Sequence, residues 1–208
     1  MLNGQTIAQR IAEHYPEPKT ELVYENEMQL AIAVTLSAQT TDKKVNEITS
    51  TLFKKYLSWE AFATADLFQL TNDIRGVNFQ VGKAQRFIEM AKRVLSEFSG
   101  QLPRQMDKLI TLPGVARKSA NVIMQELWGI AEGVVVDTHI TRVSQRLGFT
   151  TNTDAVKIEK ELMTLIPKAY WRNYSGGVVL HGRYICIARK PKCSECFLND
   201  VCPSAFNV

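Results

Sequence analysis

The sequence predicts an all-α protein, and three observations carry that prediction. Apolar residues recur at three- and four-residue intervals in one stretch after another, the period of a helix with one buried face. Strand-like alternation is nearly absent: VVV at 134–136 is the one β-leaning run, and it is too short to build a sheet. Proline and glycine breaks at 16–18, 76–78, 100–103, 113–114, 129–133 and Pro167 separate the periodic stretches.

The elements follow in order. MLNGQTIAQRIAEHYPEP has no apolar core of signal-peptide length and reads as a short amphipathic helix. Residues 27–38 (EMQLAIAVTLSA), 42–56 (DKKVNEITSTLFKKY), 81–98 (VGKAQRFIEMAKRVLSEF) and 116–128 (ARKSANVIMQELW) are helices by their apolar spacing. So are 137–147 and 154–165, each opened by an aspartate suited to N-capping. Trp59, Trp128 and Trp171 read as core. With 208 residues, 45% of them hydrophobic, the chain can bury a core as one large domain or two small ones. A net charge of +4 permits a nucleic-acid partner without requiring one. No uncharged run approaches the ~18 residues a membrane span needs, so the expectation is a soluble, cytoplasmic protein without a membrane partner.

All four cysteines lie between 186 and 202, spaced C-x6-C-x2-C-x5-C. Disulfide frameworks spread cysteines over small secreted domains, whereas thiols gathered in one short stretch converge on a metal centre. Four thiolates suit tetrahedral zinc or a [4Fe–4S] cube. A zinc ribbon normally shows two CxxC pairs and this spacing has one, so the wider gaps suit the larger cube while zinc stays in contention. Between Cys186 and Cys193 stand Arg189, Lys190 and Lys192 with no acid among them, either a solvated basic loop or a contact for a phosphate backbone. The histidines (His14, His139, His181) show no metal-ligand spacing, and His139 and His181 read as structural hydrogen-bonders.

The loop LITLPGVARKSANVI, about 109–123, takes one helix end through Pro-Gly into another helix near Ala116. Gly114 permits a turn with positive φ and Pro113 ends the first helix. The turn would aim unpaired N–H groups of Val115, Ala116 and Arg117 outward as an anion site, although a plain packing corner has the same sequence. Lys118 tips the balance. It falls in the first turn of the second helix, where a cation opposes the positive end of the dipole. An exposed lysine tolerates that position at small cost; if the site is also partly buried, both effects favour the neutral amine, a nucleophile able to form a Schiff base. Asp137, by itself, reads as an N-cap.

Together these segments resemble the endonuclease III family of helix–hairpin–helix DNA glycosylases/AP lyases. LPGVARKSANVI is similar to its hairpin, VVVDTHITRV to its aspartate segment and LHGRYICIARKPKC to the approach to its cysteines, and LSAQTTD at 36–42 matches as well. The resemblance covers about residues 3–203. It implies a six-helix barrel over 20–131 that contains the helix–hairpin–helix, and an iron–sulfur domain built from both termini, 1–19 plus 132–208. The cofactor would be a [4Fe–4S] cluster on Cys186, Cys193, Cys196 and Cys202, and damaged double-stranded DNA would bind a monomer across the cleft between the domains, in the nucleoid if the host is bacterial. Lys118 falls on the family's catalytic lysine and Asp137 on its aspartate, which makes the N-cap role secondary.

DNA contacts are implied for Gln39, Phe79, Gly114, Val115, Ala116, Arg117, Arg189, Lys190 and Lys192. A base must leave the duplex before C1′ can be reached; Gln39 would fill the space and Phe79 wedge the opposite strand, the alternatives being a helix-end hydrogen-bonder and a buried loop anchor. The expected activity is removal of oxidised pyrimidines, then β-elimination 3′ to the abasic site through a lysine Schiff base. Two positions depart from the family pattern. Ala116 replaces a second hairpin glycine, and Asn78 replaces a loop glycine, its ease in left-handed backbone letting the turn survive. Adenine-excising relatives, thymine glycosylases and a non-catalytic DNA-binding module are the rival readings, and the Lys118/Asp137 pair argues against the last.

Overall fold

Side-chain caps set where most of the helices begin. The first backbone N–H groups of a helix have no intrahelical acceptor, and a short polar side chain just before them supplies one. Asn3, Asn26, Thr41, Ser58 and Asp66 do this for α1 (Gly4–His14), α2 (Glu27–Leu36), α3 (Asp42–Lys55), α4 (Trp59–Ala63) and α5 (Leu67–Asp73). Helix α6 (Gln80–Phe98) starts without a side-chain cap after Phe79, whose backbone is left-handed. The single turn α7 (Met106–Leu109) and α8 (Arg117–Trp128) follow. Asp137 and Asp154 cap α9 (Thr138–Arg146) and α10 (Ala155–Leu165), and α11 (Trp171–Tyr184) is the last long element. The computed structural model describes residues 3–207, and among these no residue is in a strand. No helix among them is long and apolar enough to cross a membrane.

The chain divides into two units, one of Glu21–Trp128 and one of Met1–Thr20 with Gly129–Val208. In the first unit, EMQLAIAVTL is apolar on nearly every side, and a helix of that kind is stable only when covered all round. It is α2, with nine of ten residues buried, and α3, α6 and α8 pack against it. In the second, α1 and α9 both pack on α11. Gly177 lets α1 in: a Cβ there would stand 2.7 Å from Ile11 Cγ2.

Most differences from the sequence reading lie at helix ends. Helix α2 stops at Leu36 rather than 38, and α8 starts at Arg117 rather than 116. The segments α4, α5 and α7 have 5, 7 and 4 residues, too short to display a period. The 134–136 valines are buried and belong to no strand. Trp59 is core, but Trp128 and Trp171 are only half-buried, each keeping a polar contact: Arg104 over the Trp128 ring, and Trp171 Nε1–H donating to the Ile166 carbonyl at 2.9 Å.

Candidate functional site

The hairpin turns at Gly114, which has φ +86°. A glycine is needed there twice over, because the conformation excludes most side chains and an added Cβ would lie 2.9 Å from Thr35 Cγ2 on α2. Its other close neighbour is Arg86 of α6, so the hairpin rests on the two helices whose ends carry Gln39 and Phe79. Val115 differs from expectation. Its side chain is buried and its N–H, expected to be unpaired, donates to Leu112 O at 3.0 Å, closing the turn from inside. Ala116 is exposed, its carbonyl accepting the Ala120 N–H at 2.9 Å. Arg117 and Lys118, both exposed, open α8. The partial burial on which the sequence reading of a neutral Lys118 amine depends is therefore not met.

Gln39 and Phe79 lie in two neighbouring loops of the same unit. Both are exposed, Phe79 by 71%, which removes the reading of Phe79 as a buried anchor. Both have positive φ, +59° and +58°. Asn78 was expected to be the left-handed residue of its loop and is not; Gly76 and Phe79 take that conformation. Asn78 instead donates from Nδ2 to the Gln39 carbonyl at 2.9 Å. The buried Lys83 donates from Nζ to the Leu36 and Ala38 carbonyls, each at 2.8 Å, placing a cation on the C-terminal end of α2. Burial, with Arg86 adding to it, holds the Lys83 ammonium below the usual lysine range.

In the other unit, Asp137 is half-buried and caps α9, its Oδ1 accepting both the His139 and the Ile140 N–H at 2.8 Å. The same helix grips the start of the cysteine segment from its far end. Arg142 donates to the carbonyls of Gly182 (2.7 Å) and Cys186 (3.2 Å). Arg146 donates to those of Ile187 (2.8 Å) and Ala188 (3.0 Å), and lies 3.3 Å from Cys186 Sγ.

Cys186, Cys193, Cys196 and Cys202 line one cavity with Arg146 and His181. Burial pushes the Cys196 and Cys202 thiols up, the other thiols adding to it, while backbone N–H groups near both sulfurs pull the other way; Leu198 N–H to Cys196 Sγ is 3.4 Å. Among the described residues no three His, Cys, Asp or Glu side chains are placed to hold a metal ion. Four thiols around one cavity, met by N–H donors and a guanidinium, fit an anionic cluster of several metals better than one zinc. Arg189, Lys190 and Lys192 are exposed on the loop between the first two cysteines, with Lys192 Nζ 3.9 Å from Glu195 and so partly compensated.

Residues 32–168 match the HhH-GPD superfamily of base excision DNA repair proteins, and residues 186–202, beginning and ending on a cysteine, match the iron–sulfur binding domain of endonuclease III. An endonuclease III of Synechocystis is 45% identical over 191 residues, 92% of this chain and 87% of that one. The chain belongs to the endonuclease III family. A Bacillus subtilis endonuclease III is 39% identical over 97% of this chain and 94% of its own. The solved structure of a trapped endonuclease III–DNA covalent intermediate superposes with TM-score 0.88 at 37% identity, covering 99% of this chain and 98% of that one. A thermostable thymine-DNA glycosylase shares the fold, with TM-score 0.82 at 22% identity. As an endonuclease III family member the chain is a DNA glycosylase of base excision repair, and its cofactor is the [4Fe–4S] cluster.

The hairpin and the Gln39 and Phe79 loops share the supports α2 and α6; Asp137 and the cysteine segment share α9. Sequence reasoning missed Lys83, Arg142 and Arg146. For the arginines a signal existed: they stand four apart on a helix opened by Asp137 and precede the cysteines, as counter-charges to thiolates would. Lys83 gave none, since a lysine inside an amphipathic helix reads as solvated.

Proposed function

We propose that this endonuclease III family member is a bifunctional DNA glycosylase/AP lyase that removes oxidised pyrimidines from duplex DNA, acting as a monomer in the cytoplasm. The observation that carries the lyase half is Lys118, an exposed amine in the first turn of α8, four residues past the left-handed Gly114 turn. The Gly114–Arg117 segment contacts a phosphate, through the Ala116 and Arg117 side of the turn more than through Val115, whose N–H is engaged. Gln39 and Phe79 meet the gap left by the extruded base.

The Lys118 amine attacks C1′ of the extruded nucleotide, the bond from C1′ to the base breaks, and the base leaves with a proton. Loss of the amine's own proton and opening of the sugar give an imine. Removal of a C2′ proton then breaks the C3′–O bond, cutting the strand 3′ to the lesion. Asp137 stabilises positive charge that develops on the sugar and assists the proton transfers. Its capping bonds use Oδ1, and the carboxylate keeps Oδ2 for this work. Cys186, Cys193, Cys196 and Cys202 hold the cluster, which supplies no step of the excision and acts as a clamp that aims Arg189 and Lys190 at the backbone.

Borohydride reduces an imine to a stable amine, so it should trap the wild type covalently on abasic-site DNA. Lys118→Gln should abolish trapping while DNA affinity stays within a few-fold. Undiminished trapping by that variant would falsify the assignment.

A further inference from the structure

Backbone with positive φ is unfavourable for a residue such as glutamine or phenylalanine and persists only where the surroundings over-determine it. At Gln39 those surroundings can be named. The φ and ψ of a residue are the relative tilts of the two rigid peptide planes that flank it. The plane before Gln39 carries the Ala38 carbonyl, held by Lys83 Nζ at 2.8 Å. The plane after it carries the Gln39 carbonyl, held by Asn78 Nδ2 at 2.9 Å. Thr40 N–H, donating to Ser37 O at 3.0 Å, closes the turn. With both carbonyls held, the dihedrals between them are held too.

Both donors come from the segment that carries Phe79. Asn78 is its neighbour, and Lys83 is one turn on, its own N–H donating to the Phe79 carbonyl at 3.0 Å. The two left-handed residues are therefore parts of one hydrogen-bonded unit. We propose that Asn78, working with Lys83, is a positioning residue that locks the Gln39 turn to the Phe79 turn, so that the two side chains meet damaged DNA as one preorganised pair. This rests on the lesion-site reading of Gln39 and Phe79 given above.

Lys83 is buried, and its loss would disturb the core. Asn78 is exposed and is the residue to change. Four proteins form a double-mutant cycle: wild type, Asn78→Ala, Gln39→Ala and both together. Each is measured in single turnover for excision of an oxidised pyrimidine and for cleavage at a preformed abasic site. Asn78→Ala should slow excision about 3- to 10-fold, the scale of one hydrogen bond, and slow abasic-site cleavage less, because no base remains to be extruded. With Gln39 already alanine, the Asn78 change should add less than about two-fold, since coupled residues are not additive. Asn78→Asp, of equal size without the amide donor, should behave like the alanine variant and serves if that one fails to fold. Full additivity, or wild-type excision by both Asn78 variants beside a slow Gln39→Ala, overturns the positioning role alone. Wild-type excision by Gln39→Ala overturns the lesion reading and this proposal with it. A loop tie that only adds stability would lower the melting temperature and depress both reactions equally.

Discussion

Around Gln39 and Phe79 the irregular backbone is fixed by protein groups alone. Two side chains from one segment hold the carbonyls of another, and beneath them lies a core that reaches from Leu22 to Met124. Between Cys186 and Cys202 the chain is equally irregular, with one three-residue 3-10 turn, Cys193–Glu195, and one fully buried side chain, Leu198. Its anchors are Arg142 and Arg146 from α9, Arg10 from α1, which pairs with Asp200 and donates to the Phe197 carbonyl, and the four thiols themselves. The units are of similar length, yet among the described residues the first buries 29 hydrophobic side chains in its core and the second 15. That difference says where the metal matters. A segment with few apolar contacts cannot offset its ordering entropy by packing, and ligand binding has to supply the rest.

The sharpest way to break this comparison is to take the cluster away. Cys196→Ser should remove the visible absorption and the iron completely and expose the amides of 186–202 to exchange. DNA affinity should fall at least about ten-fold, with a shallower salt dependence, as the Arg189 and Lys190 phosphate contacts are lost. Helices α2–α8 should keep their protection, and protection lost evenly across the whole chain would show that the two regions do not differ in metal dependence.

Asp137 tests the second unit away from the metal. Asp137→Asn should slow base excision by about 10²-fold, the usual scale for a lost acid/base or charge-stabilising group. Its melting temperature should hardly move, because asparagine caps as well as aspartate. Asp137→Ala should add about 1 kcal/mol of destabilisation, roughly 2–4 °C in a chain of this size. Equal excision rates for wild type and Asp137→Asn would leave the cap as the residue's whole role.

The hairpin tests the metal-independent region. Gly114→Ala should cost about 1–2 kcal/mol through the left-handed backbone, with the contact to Thr35 adding to it, and should weaken DNA binding without touching the cluster spectrum. Ala116→Gly should change stability by no more than about 1 kcal/mol and strengthen DNA binding at most a few-fold. A large loss of stability there would show that the methyl group packs in a way its exposure does not suggest.

Much of this protein was legible in the sequence, for local reasons. Helical period, the Asp137 and Asp154 caps, the left-handed Gly114 and the clustered cysteines each depend on residues a few positions apart, where chain geometry alone fixes who meets whom. Short helices such as α4 and α7 escaped because a single turn shows no period. What only the tertiary structure decided are bonds made across long stretches of chain. Lys83 reaches a carbonyl 47 positions away, Asn78 one 39 away, and Arg146 the Cys186 sulfur 40 away. A lysine inside a helix and an asparagine in a loop carry no mark of those partners. Their roles arise only when packing of α6 on α2 and of α9 on α11 brings donors to carbonyls that the ends of secondary structure leave unsatisfied.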